Sequence, residues 1–323
     1  RGKGDRRHGR SNEKAEGMKR AMKIGLGIVL FLLLAGGLLL LAIRTNGPAV
    51  LNGIDGLTGG GRGVTLVSNT QYGPHRDQKL RIYAPAKSDR DQPLPIIIFV
   101  HGGSWSWGDP DDYTFIARAL APEGFVVALA GYRLGKDGRY PAMLEDTVTA
   151  IGQTVRIAPQ FGGDPGRVIL AGHSAGAYNV VQAALEEKWL SRIGVMPRGV
   201  VGLAGPYDFY PFDKDSSQDA FGSVGAGPES QPVNHARADA PPMLLVHGER
   251  DTLVKPRNTR ALAKALRDVG APVETRFYDS FDHNAPLISF ASPWRNSRDV
   301  DDAVVEFARR VSKVSVPVQA ESP

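Results

Sequence analysis

The pentapeptide Gly172-His173-Ser174-Ala175-Gly176 constrains this chain more than any other stretch. It follows the apolar run Arg167-Val168-Ile169-Leu170-Ala171 and opens a helix-like run over residues 175–185. A serine flanked by spaced glycines at a strand-to-helix junction is the pattern of a nucleophile elbow. There the backbone reverses so sharply that only glycine fits beside the turn, and the bend lifts the hydroxyl clear of the sheet. With 38 glycines in 323 residues, the pentapeptide carries little by itself. Its weight comes from what else the chain supplies, and in which order.

Around the elbow, short apolar runs alternate with helical ones. Strands are expected over residues 95–100, 124–130, 168–171, 199–204, 242–247 and 274–278. Helices are expected over 112–121, 143–159, 175–187, 256–269 and 300–314. Runs such as Pro95-Ile96-Ile97-Ile98-Phe99-Val100 are apolar at every position, as in a parallel strand buried on both faces. Two earlier strands, over 64–67 and 79–83, are joined by a turn at Tyr72-Gly73-Pro74 and form an antiparallel edge. Strands alternating with helices predict an α/β fold with a mostly parallel, doubly wound sheet and right-handed crossovers.

In such sheets functional groups sit on loops after the C-terminal ends of strands. Three loops qualify. Ser174 follows one strand, Asp251 a later one in His247-Gly248-Glu249-Arg250-Asp251, and His283 the last one in Asp279-Ser280-Phe281-Asp282-His283. A serine hydroxyl needs a base, and the base needs a carboxylate to fix its tautomer. Glu249 competes with Asp251 for the acid role, as do Asp279 and Asp282. A fourth loop, His101-Gly102-Gly103-Ser104-Trp105, follows the strand ending at Val100. Its glycines let the backbone approach a substrate carbonyl, so the N–H groups of Gly102, Gly103 and Ala175 are candidate oxyanion donors. Trp105, Trp107, Phe209 and Phe212 are candidates to line an acyl pocket. His101, His173 and His247 are expected to brace loops, with His173 pointing away from the substrate.

The order Ser, Asp, His, the His-Gly-Gly loop and the Gly-x-Ser-Ala-Gly elbow resemble the esterase/lipase branch of the α/β-hydrolases. The surroundings Tyr132-Arg133-Leu134, Tyr140-Pro141-Ala142 and Gly162-Gly163-Asp164-Pro165 are most similar to the group holding acetylxylan/feruloyl-type esterases and arylformamidases. The resemblance runs over residues 72–311. It implies Ser174, Asp251 and His283 as the catalytic residues, which selects Asp251 as the acid, and Gly102 and Gly103 as the oxyanion loop. It also implies a small-molecule ester substrate and no cofactor. The chain departs from many relatives at His173, where they carry Asp, and at Ser104, where they carry a third Gly. The same triad serves amide or formamide hydrolysis, and a non-catalytic binding protein on a hydrolase fold is the other alternative.

The insertion over residues 205–241 is the one stretch able to form a cap. It carries five prolines and several acids beside Phe209, Phe212 and Phe221. It is too short and too polar for an extended lipase lid, so short acyl groups are expected.

Residues 24–43 hold no charged group and, as a helix, span about 30 Å, the thickness of a bilayer's hydrocarbon core. Lys19, Arg20 and Lys23 precede this run, and Arg44 follows it. The asymmetry predicts an uncleaved single-pass membrane anchor with the following domain on the extracytoplasmic (periplasmic) side. A cleaved signal peptide is the rival, but its apolar region is usually shorter. The expected organisation is a basic tail over 1–23, the anchor over 24–43, a Gly-rich linker over 44–63 and a catalytic domain over 64–323. The net charge of +5 misleads, because residues 1–23 carry nine Lys/Arg and three Asp/Glu, which leaves −1 for the rest. A nucleic-acid partner is therefore not expected. Without cysteine the chain has no disulfide, thiolate metal site or cysteine nucleophile. No metal is expected either, since no His-Glu-x-x-His pattern occurs.

Overall fold

The computed structural model describes residues 5–87, 92–222, 227–297 and 299–313. The chain divides into two compact units, Arg1–Val50 and Leu51–Pro323.

In the first unit the chain is helical. Helix α1 (Asp5–Leu57) begins there and includes the apolar stretch, and its large apolar side chains from Ile24 to Leu41 are exposed on every face. The segment Gly17–Leu57 has a mean hydropathy of 2.9 and is long and apolar enough to cross a membrane. Asn46 leaves helical geometry, with φ −150°, and its Oδ1 accepts the Ala49 N–H at 3.1 Å. This side-chain cap restarts the helix where Pro48 interrupts it.

The second unit carries an eight-stranded sheet in the order β1-β2-β4-β3-β5-β6-β7-β8. Its strands are β1 (Val64–Gln71), β2 (Lys79–Pro85), β3 (Leu94–Val100), β4 (Val126–Ala130), β5 (Gly163–His173), β6 (Gly199–Leu203), β7 (Met243–Gly248) and β8 (Val273–Tyr278). β2 runs antiparallel to β1 and β4, and β3 to β8 are mutually parallel. Although each central strand is apolar throughout, alternate residues serve different layers. Ile96, Ile98 and Val100 face one core with Met143, Tyr178 and Leu262, while Ile97 and Phe99 face the other with Phe115, Val304 and Phe307. That two-sided burial is why these strands read as continuous apolar runs rather than as alternating ones.

The first face is covered by α3 (Ala142–Ile157), α4 (Ala175–Leu185) and α7 (Arg257–Asp268), the second by α2 (Thr114–Leu120) and α9 (Val300–Val311). The shorter helices are α5 (Lys188–Ser191), α6 (Asp215–Phe221) and α8 (Ala285–Ile288). Val314, the expected end of the last helix, lies outside the described residues.

One expectation is corrected. Within the expected Gly-rich linker over 44–63, residues 51–57 are helical and belong to the second unit, which begins at Leu51. Leu51 is buried there, and Asp55 is wholly buried. The Asp55 carboxylate pairs with Arg118 at 3.0 Å and Arg295 at 3.1 Å and accepts the Ser292 N–H at 2.9 Å. Glycine spacing suggested a flexible segment, but partners more than 60 residues away hold this one.

The strand order also decides where a site forms. From β3 the chain passes to β4 on one side, then crosses to β5 on the other side of β3. The loops after β3 and β5 therefore diverge at a topological switch point, which opens a crevice at their C-terminal ends. Register places Val100 beside Gly172, and the Ser174 N–H donates to Leu203 O at 2.8 Å.

Candidate active site

Ser174 stands between β5 and α4 with φ +53° and ψ −120°. Few non-glycine residues tolerate this conformation, and it persists only where packing holds it. Packing does so through Gly176, where a Cβ would lie 2.1 Å from Val100 O and 2.5 Å from His101 O. A side chain there would drive α4 off β3, so the second glycine of the motif is required by close approach.

The three residues expected from strand ends converge. His283 Nε2 is 2.9 Å from Ser174 Oγ, and His283 Nδ1 is 2.7 Å from Asp251 Oδ2. The carboxylate only accepts, so Nδ1 carries the proton and Nε2 is left to accept from the serine hydroxyl. Asp251 is buried. Its Oδ1 accepts the N–H groups of Leu253 and Val254, each at 2.8 Å. Burial alone would raise its pKa, but hydrogen bonds from His247 and His283 and the Val254 amide hold it well below the usual carboxylate range.

Two of the three competing acids, Glu249 and Asp282, are engaged elsewhere. Glu249 pairs with Arg260 at the surface. Asp282 Oδ1 accepts the Asn284 and Ala285 N–H groups at the start of α8.

Two further histidines support this array. His247 Nε2 donates to Val254 O at 2.9 Å and lies 3.2 Å from Asp251 Oδ2, while Nδ1 accepts from the Thr259 hydroxyl at 2.7 Å. The same Asp251 oxygen therefore faces two imidazoles. His173 Nε2 donates to the His283 carbonyl at 3.0 Å. Burial, then the neighbouring His283, pushes the His173 pKa down to about 3, so the ring is neutral. His173 thus points away from the hydroxyl, as expected, and ties the base loop to the elbow.

This gives a pH-dependent prediction. Unfolded, His173 titrates near the ordinary histidine value of about 6.5. Between about pH 3 and about 6.5 the unfolded chain binds the extra proton, so His173's contribution to stability is full above that window and is lost as pH falls through it. In His173→Gln, the fall in Tm from pH 7 to pH 4 should be smaller than in the wild type. In His173→Leu, which cannot donate, kcat should drop about tenfold, since the buried His283 carbonyl loses its donor. An unchanged kcat and an unchanged pH slope would show that His173 only fills space.

After β3, His101 stacks between Tyr132 and Tyr113, with ring centroids 4.7 and 5.7 Å away. Its Nδ1–H donates to Gly102 O at 2.7 Å. Gly103 has φ +119°, and a Cβ there would lie 1.8 Å from Trp107 O. Ser104 and Trp105 follow in left-handed geometry, at φ +52° and +58°. The glycine loop is refined in one respect. Ser104 joins Ser174 and Ala175 in lining the cleft, whereas neither Gly102 nor Gly103 is among its lining residues. Ser104 was passed over because glycine was the signal used, although this serine shares the left-handed geometry of Gly103.

The cleft over Ser174 encloses about 220 Å³. Trp105 and Phe209 line it, while Phe212 packs behind Phe209 and Trp107 is turned to solvent. Trp105 is fixed by its Nε1–H donating to Asn179 at 3.1 Å. Pro206, Lys214 and Ser217 from the insertion supply one wall.

The BD-FAE family model matches residues 80–266, more than half of the chain. The chain belongs to the BD-FAE family. This BD-FAE chain is 28% identical over 259 residues to isoprenylcysteine alpha-carbonyl methylesterase ICME of Arabidopsis thaliana, which covers 72% of this chain and 60% of that protein. It is 29% identical over 222 residues to esterase LipC of Mycobacterium tuberculosis, covering 61% and 54% of the two chains. The BD-FAE chain thus spans little more than half the length of these relatives. Its fold is that of esterase B from Lactobacillus rhamnosis, with a TM-score of 0.69 at 20% identity over 85% of this chain and 96% of that one. The BD-FAE chain stands in the esterase branch of the α/β-hydrolases, as its motifs imply.

Proposed function

We propose that this chain is a serine carboxylesterase for short-chain carboxylic esters, held at a membrane by its N-terminal helix. The observation that carries this reading is the continuous hydrogen-bond chain Ser174–His283–Asp251 at the floor of a cleft. Ser174 Oγ attacks the ester carbonyl as its proton passes to His283 Nε2. The charge that develops on the carbonyl oxygen is met by the N–H groups of Gly103, Ser104 and Ala175. His283 then protonates the departing alkoxide, leaving an acyl-serine. Water enters, gives its proton to His283, and releases the acid. Asp251 keeps the imidazole in the required tautomer and steadies its transient positive charge.

The acyl preference follows from size. Pockets for drug-sized ligands are usually about 300–1,000 Å³, and this cleft is smaller. Each acyl methylene left without a wall forgoes about 0.8 kcal/mol of burial. Across p-nitrophenyl esters from acetate to palmitate, kcat/KM should peak between acetyl and butyryl. A maximum at decanoate or beyond would replace this reading with a lipase. A fluorophosphonate probe should label the wild type and not Ser174→Ala, and an aryl formamide in the panel separates amide from ester hydrolysis.

The anchor is proposed from the exposed apolar helix and the basic residues before it. A protein expressed from this sequence should stay in the membrane pellet after a high-salt wash, with its catalytic unit open to protease on intact spheroplasts. Release of a soluble species beginning near residue 45 would identify a cleaved signal instead.

A further inference from the structure

The cleft carries more positive charge than ester chemistry requires. Its lining includes Lys214, Lys255 and Arg257 against a single acid, Asp213. The background does not explain this excess, since residues 24–323 sum to −1. Nor are two of the three cations paired with a carboxylate among the described residues. Lys255, four residues beyond Asp251, makes no side-chain hydrogen bond or ion pair among the described residues. Lys214 reaches across from the insertion to donate to Leu253 O at 2.5 Å, so a carbonyl and not a carboxylate receives it. Arg257 has one acidic neighbour, Asp208, at 3.9 Å, and both side chains are exposed.

The backbone under these cations is built rather than loose. Asn258 is buried, and its Oδ1 accepts the Tyr207 and Asp208 N–H groups at 2.9 and 2.8 Å. Its Nδ2 donates to Lys255 O at 3.0 Å. This one side chain fastens the loop after β6 to the loop after β7 and holds Lys255 and Arg257 on the same side of the cleft. Trp105, Phe209 and Pro206 give the cleft apolar surface. The site thus offers an apolar wall for a small group and a rim with a net positive charge, both beside Ser174.

We propose that the preferred substrates are esters that also carry a carboxylate or comparable anion, which Lys255 and Arg257 receive with help from Lys214. This inference rests on the esterase reading above and narrows it to a substrate class. The anion does not enter the chemistry. It orients the ester and raises the rate of productive encounter.

The test uses the full chain in detergent with three probes: p-nitrophenyl butyrate, mono-p-nitrophenyl succinate, and a nitrophenyl butyrate with a carboxylate on the leaving group. The Ser174→Ala protein serves as the blank, because aryl succinates cleave themselves. At low ionic strength at least one anionic ester should exceed butyrate in kcat/KM by about tenfold. That advantage should shrink to about twofold in about 0.5 M NaCl, where exposed charges are screened. Lys255→Glu should lower the anionic-to-neutral ratio about tenfold. Lys264→Glu makes the same change in net charge on α7, outside the cleft lining, and should leave the ratio alone. A preference for butyrate at both salt concentrations, or a ratio unmoved by Lys255→Glu, overturns the proposal while the esterase reading stands. Failure to turn over any of the three, with no fluorophosphonate label on Ser174, overturns both.

Discussion

Ser174→Ala and His283→Ala should each lower kcat by about 10⁶, and Asp251→Asn by about 10⁴, with the fold retained. The three act as one unit, so any double variant should be little worse than the worse single one. Alanine suits the serine position, because it faces the same backbone demand at φ +53° and changes only the hydroxyl. In Asp251→Asn the side chain would keep an oxygen for the Leu253 and Val254 amides. Its amide nitrogen would then stand where Oδ2 now receives the His283 donor, with His247 Nε2 3.2 Å away. Donor would face donor, and His283 would turn to the tautomer whose Nε2 carries the proton and cannot accept one from serine. Steady-state kinetics with p-nitrophenyl butyrate, alongside thermal melts, read both effects. Near-full activity in Asp251→Asn with loss in Asp279→Asn would move the acid to Asp279.

Gly103→Ala should cost about 10²–10³ in kcat/KM, equivalent to removing one oxyanion donor worth about 2.7–4 kcal/mol. At φ +119° an alanine is strained, and its Cβ would stand 1.8 Å from Trp107 O. The loop cannot yield locally, because the Gly103 carbonyl accepts the Ser106 and Trp107 N–H groups. It must open, which would carry the proposed donors away from Ala175. Gly124→Ala is the control. That glycine is also left-handed, at φ +91°, but an added Cβ meets nothing within 4 Å and the position lies outside the site. It should lose stability and keep its kcat. Equal activity losses in the two variants would mean that backbone strain alone, and not the placement of the donors, explains the Gly103 effect.

The fold class and the order of the site residues were legible because they rest on short-range signals. Apolar runs of five to seven residues punctuated by glycine declare buried strands, and the loops after them carried Ser174, Asp251 and His283. The elbow needed only the pentapeptide and its flanks. Position in sequence also favoured Asp251, though for a reason of resemblance. The physical reason is the pair of backbone amides and the two imidazoles that the folded loop directs at its carboxylate.

Other features were decided only by the tertiary structure. Residues 51–57 read as linker because glycine density is a local signal, yet Asp55 is held by Arg118 and Arg295, which adjoin it only once α2 and the segment before α9 are packed. His173 was expected to face away from the substrate, but its bond to the His283 carbonyl joins positions 110 residues apart. Ser104 comes to line the cleft where the backbone runs left-handed from Gly103 through Trp105, a path that the sequence of the loop did not declare. The sequence by itself determined which segments are strands and helices and in what order the candidate site residues appear, because periodicity and turn chemistry act over a few residues. Which atom each group bonds was left to the fold, because a hydrogen bond forms within about 3 Å between groups that only the packing of the whole sheet brings that close.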